Sequence, residues 1–126
     1  MIFPSKAKII EYHAQQIECF GGSHGLRDEG ALESALAAAE NRYFYEKADV
    51  VLCAATYAYH LCQAHAFIDG NKRIAAEAAE LFLEINRASL QASDEELEEL
   101  ILGIAAGQIT REEVEQRFAQ WVVLSD

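Results

Sequence analysis

A chain of 126 residues that is 52% hydrophobic and 25% charged, with a single proline, has enough apolar material to bury the core of one domain spanning residues 1–126. Its formal net charge of -11 argues against nucleic acid as a partner, because DNA and RNA binding depends on basic groups that neutralise phosphates. No run approaches the ~20 apolar residues that span a bilayer, the opening Met1 to Lys6 lacks the layout of a secretion signal, and the three cysteines match no zinc or redox spacing, so a cytoplasmic protein with buried, reduced thiols and no membrane partner is expected.

Ser5 to Phe20 predicts a first helix with Ile9, Ile10, His13 and Ile17 on its apolar face and Gly21-Gly22 as its stop. Ser23 to Arg27 reads as loop, and Asp28 is a good N-cap for a second helix. In that helix Leu32, Ala35, Leu36 and Ala39 repeat at helical spacing to about Asn41, after which comes the aromatic cluster Tyr43, Phe44, Tyr45. From Asp49 to about Ala64 the chain is apolar nearly all round, the mark of a buried central helix. His65 to Gly70 breaks the pattern. A helix from Asn71 to Asn86 then buries Ile74, Ala78, Leu81, Phe82 and Ile85. Capping boxes at Ser93 with Glu96 and at Thr110 with Glu113 open two more helices, and Gly107 closes the first of them. No alternating stretch is long enough for a sheet, so the expected architecture is all-α, a compact single-domain bundle of about six helices around the buried central one.

The segment from His65 to Arg73 packs a base, a carboxylate, a turn glycine, an amide and two cations into one connection between helices. Gly70 permits a tight turn or close backbone approach, and Asn71 is a favourable N-cap for the following helix. Backbone amides at a helix start make an anion site. Lys72 and Arg73 add positive charge at the end of the helix where the dipole disfavours it, a violation that a bound polyphosphate repays. Asp69 is a hard oxygen ligand suited to Mg2+, and His65 can accept a proton near neutrality. A nucleoside triphosphate such as ATP, bound as co-substrate with Mg2+, is the ligand this set fits.

At these residues the run resembles the signature of the Fic/Doc family, matching it at His65, Phe67, Asp69, Gly70, Asn71 and Arg73. The resemblance implies that His65 is the base, Phe67 the anchor of the loop, Asp69 the Mg2+ ligand, and Gly70, Asn71, Lys72 and Arg73 the phosphate-binding stretch. Lys72 stands where adenylylating Fic enzymes have glycine, and Ala76 where they have a second arginine; both departures are similar to the Doc (death on curing) toxin branch. That branch implies transfer of a terminal phosphate to a protein hydroxyl, with elongation factor Tu as target and a cognate antitoxin as regulator. It also implies a substrate-aligning role for Arg42, Tyr43 and Phe44, ahead of the central helix. The alternatives are a Fic-type adenylyltransferase, or a catalytically idle helical module that binds a partner.

The other candidates are weaker. His60, Cys62 and His65 do not converge on one helical face as metal ligands would, His13 reads as an amphipathic-face residue and His24 as a loop residue, and Asp94 to Glu99 reads as a solvated helix start.

Overall fold

The computed structural model describes residues 1–125 and contains six helices, α1 (Lys6–Phe20), α2 (Glu29–Glu46), α3 (Val50–Ala64), α4 (Asn71–Ile85), α5 (Asp94–Ala105) and α6 (Arg111–Trp121). The expected all-α bundle is what forms, and local chemistry explains most of its boundaries. Ser5, Asp28, Asp49, Ser93 and Thr110 each turn a side-chain oxygen onto an amide of the first turn that follows, which satisfies donors the helix itself leaves unpaired. Both capping boxes close as expected, and Gly21 ends α1 at φ 86°, a backbone angle that favours glycine.

α3 is the hub. It packs against α2, α4, α5 and α6, and Cys53, Ala54, Ala55, Thr56, Tyr57, Ala58, Leu61 and Cys62 are buried along it. The alanines let neighbouring helices approach closely, while Tyr57, Phe82, Phe118 and Leu100 fill the space between them. The Cys53 thiol donates to the Ala39 and Ala48 carbonyls, and burial pushes its pKa up to about 11. Cys62 donates to the Ile101 carbonyl. Cys19 departs from expectation: it is exposed near the end of α1 rather than buried.

Two further features differ from the sequence reading. α2 continues past Asn41 to Glu46 because its last turn is held by distant groups: the Arg42 guanidinium donates to Thr56 Oγ1 at 3.0 Å and to the Glu115 carboxylate of α6. The bundle also carries a small antiparallel sheet, β1 (Ala88–Leu90) paired with β2 (Val122–Leu124), with Ser89 opposite Val123. Strands of three residues are too short to show a period-two pattern, so nothing local announced them. No helix among the described residues is long and apolar enough to cross a membrane.

Candidate active site

The connection between α3 and α4 begins at His65, which caps α3 in the left-handed conformation at φ 49° and ψ 41°. A non-glycine residue pays for that conformation, and such residues concentrate at functional sites. The imidazole is exposed, and no hydrogen bond among the described residues ends on it. Beyond it the chain turns inward. Ala66 and Phe67 are buried, and the loop ahead of α2 binds them edge to edge: the Arg27 and Asp28 amides donate to the Ala66 carbonyl at 2.7 and 3.0 Å, and the Ile68 amide donates to the Gly25 carbonyl at 3.0 Å. Leu26 and Phe67 thus form an isolated antiparallel bridge, so the stretch read as plain loop is a clamp on the signature segment.

Asn71 is not the N-cap of α4, contrary to the local rule. Its carboxamide folds back onto Phe67, Oδ1 accepting from the Phe67 amide at 3.0 Å and Nδ2 donating to the Phe67 carbonyl at 2.9 Å. The competing demand is a buried peptide group that needs both partners. Gly70 takes the cap position instead, at φ 75°, and supplies no side chain. Among the six described helices α4 alone begins without a side-chain cap. The amides of Asn71, Lys72 and Arg73 precede its first backbone bond, from Ile74 N–H to Gly70 C=O at 3.0 Å, and have no acceptor within the helix, the arrangement in which a helix start can receive an anion.

Asp69 is exposed and fixed from two sides: Oδ1 accepts from the Gly70 amide at 2.8 Å and Oδ2 from the Ser23 amide at 3.2 Å. These bonds use about two of a carboxylate's four lone-pair sites, which leaves room for one hard cation. Gly22 sits so close that a Cβ there would lie 2.7 Å from Asp69 Oδ2. The Arg73 guanidinium lies 4.2 Å from the centre of the exposed Phe20 ring, a cation–π shelf at the end of α1. Burial pushes the Glu77 carboxyl up from its usual range, and Arg73 partly offsets this.

His65, Asp69, Gly70, Asn71, Lys72 and Arg73 all line one cleft of about 560 Å3, a size suited to a small ligand. Its far wall comes from α5, through Asp94, Leu97, Glu98, Ile101 and Leu102. His60 instead lines a separate depression with Tyr59 and Arg111, and Cys62, although it borders the cleft, turns its thiol onto the Ile101 carbonyl, so His60, Cys62 and His65 do not converge on one point. Among the described residues no three His, Cys, Asp or Glu side chains gather as a metal cage. A cation placed beside Asp69 would need the ligand's own oxygens to complete its shell.

Comparison with known proteins identifies the family. The profile of the Fic/DOC family matches residues 3–83, more than half of the sequence. The protein kinase doc of Escherichia phage P1 is 35% identical over 107 residues, covering 84% of each chain. The chain belongs to the Fic/Doc family. A second relative, the toxin Doc of Mycolicibacterium smegmatis, is 40% identical over 75 residues, 58% of each chain. The Fic/Doc profile takes in α1 to most of α4 with the whole signature turn, whereas α5, which closes the cleft, lies beyond it.

Two residues take places in this Fic/Doc fold that their sequence readings do not give. Arg42 was grouped with Tyr43 and Phe44 as substrate-aligning, yet its guanidinium points into the bundle; of the cluster, Phe44 and Tyr45 are the exposed members. His13, read as a face residue of α1, is buried against the turn.

Proposed function

We propose that this Fic/Doc protein transfers the terminal phosphate of a nucleoside triphosphate, ATP in the first instance, to a hydroxyl of a target protein, and that it acts as the toxin of a toxin–antitoxin pair. The observation that carries the reading is the uncapped start of α4: open amides, two cations, a carboxylate and an exposed imidazole facing one cleft. The names of its relatives, a protein kinase and a toxin, support the same direction. Elongation factor Tu is the target that the family resemblance suggests, and a cognate antitoxin is the expected regulator.

In this scheme the amides of residues 71–73 and the Lys72 and Arg73 side chains hold the phosphates, with Arg73 offering a planar fork and Lys72 a point charge. Gly70 and Asn71 shape the turn, Gly70 by leaving the helix start bare and Asn71 by tying down Phe67. Asp69 would hold Mg2+, which neutralises phosphate charge when bound. The target hydroxyl oxygen bonds to the terminal phosphorus, the bond to the bridging oxygen breaks, a nucleoside diphosphate leaves, and His65 takes the hydroxyl proton. Lys72 in place of glycine and Ala76 in place of arginine favour this over adenylyl transfer.

ATP labelled separately on its first and last phosphates tests the reading against the purified target. Label should reach the protein only from the last phosphate. Label from the first phosphate alone makes the protein an adenylyltransferase, and no transfer from either, with partner binding intact, makes it an idle module. A second expectation concerns Gly22→Ala. The added methyl meets Asp69 at φ 117°, so about 1–3 kcal/mol of backbone strain and a displaced carboxylate should lower both the melting temperature and the transfer rate, the latter by up to about 10²-fold. Unchanged values in thermal melts and rate assays would mean that the Gly22 approach is unimportant.

A further inference from the structure

His13 stands in α1, 56 residues before the carbonyl it touches and outside the signature. Its ring is 2% exposed and lies flat on Phe67, with centroids 3.8 Å apart and planes at 12°. Nε2 is 2.7 Å from the Asp69 carbonyl oxygen. A carbonyl only accepts, so this nitrogen carries the proton. The same ring borders Gly70, where a Cβ would meet Nε2 at 3.4 Å. One side chain therefore packs on Phe67, bonds to the Asp69 carbonyl and borders Gly70, whose amide in turn holds the Asp69 carboxylate. The next positions on this face of α1 continue the contact, Ile17 against Gly70 and Phe20 under Arg73, at the i, i+4, i+7 spacing of a single helical stripe.

The other bonds that hold Asp69 involve its carboxylate, from Gly70 and Ser23, and both are exposed to water. The His13 bond is the part-buried one, and it acts on the main chain. If the Asp69 peptide rotated, a donor on a ring that is 2% exposed would lose its acceptor, so rotation is resisted more strongly than by the surface bonds.

We propose that His13 is a positioning residue for the transfer reaction, holding the Asp69 peptide, and through it the carboxylate, in the orientation that binds the metal–nucleotide complex; this rests on the reading of the cleft as a transferase site. Support of this kind around a ligating carboxylate changes metal affinity or activity by roughly 10–100-fold when removed.

Two variants separate the ring from the hydrogen bond. His13→Phe keeps a flat ring on Phe67 and lacks the donor, whereas His13→Gln places an amide nitrogen at similar reach and lacks the ring. In the full-length protein, backbone amide exchange at Ile68 and Gly70 reports the turn directly, and the Mg2+ concentration for half-maximal transfer reports the site. His13→Phe should fold, exchange at least about tenfold faster at both amides, and need roughly 10–100-fold more Mg2+. His13→Gln should return both readouts close to wild type. Wild-type exchange and Mg2+ dependence in His13→Phe overturn the proposal, and so does a folded His13→Gln as impaired as the phenylalanine variant. If His13→Phe does not fold, the glutamine variant decides alone: near wild-type values support the hydrogen bond, and lost protection overturns it. If the wild type transfers no phosphate, the transferase reading fails separately, while the exchange comparison still decides whether His13 holds the turn.

Discussion

His65→Ala is expected to abolish transfer while leaving a folded protein, with a fall of about 10²–10⁴-fold, the range for losing a positioned general base. The structure separates the two effects cleanly. The imidazole is exposed, no described residue hydrogen-bonds to it, and its backbone already bears the strain of φ 49°, so little of the fold depends on this side chain. His65→Gly should go further and raise the melting temperature, because glycine adopts the left-handed cap freely and relieves about 1 kcal/mol, although part of that gain is returned as flexibility of the unfolded chain. A residue retained against stability is what a functional site looks like. Thermal melts beside rate measurements check both halves: transfer within a few-fold of wild type in His65→Ala would remove the imidazole from the chemistry.

Arg73→Ala should lower transfer by about 10²–10³-fold, as when one preorganised group that stabilises developing charge is deleted. Arg73→Lys should not restore it, since an ammonium cannot offer the planar fork that grips two phosphate oxygens. Phe20→Ala gives the finer test. It leaves the charge and removes the aromatic shelf 4.2 Å beneath it, worth about 0.5–1 kcal/mol at an exposed site, so nucleotide affinity should weaken by less than about tenfold. Equal losses in Phe20→Ala and Arg73→Ala would mean that the ring, rather than the guanidinium, is the contact that matters.

What could be read from the sequence follows the range over which each feature is determined. The helix starts at Ser5, Asp28, Asp49, Ser93 and Thr110 were legible because a cap and the amide it serves lie within one turn. The six site residues were legible because they fall in one run, from His65 to Arg73, and all of them do line the cleft. Features decided at a distance were not. α2 outruns its apolar repeat because Arg42 reaches Thr56 and Glu115, and the sheet joins residues 88–90 to 122–124. Asn71 shows a local rule losing to a nearby competitor, since the Phe67 peptide claims the carboxamide that would have capped α4. His13 and Gly22 look ordinary in sequence and acquire meaning only when α1 is laid against the turn. Asp94, Leu97 and Glu98 of the α5 wall fall in the stretch Asp94 to Glu99, which reads in sequence as a solvated helix start, and nothing local there signals that it closes a cleft.

We propose above all that the bare start of α4, with Asp69 beside it, seats a metal-bound triphosphate. Calorimetric titration of ATP with Mg2+ into the purified protein tests this most directly, using wild type, Asp69→Asn and Arg73→Ala. One saturable site is predicted, weakened by more than about tenfold in each variant and dependent on Mg2+ in the wild type. Absence of binding to the wild type, or equal affinity in all three proteins, would contradict the account.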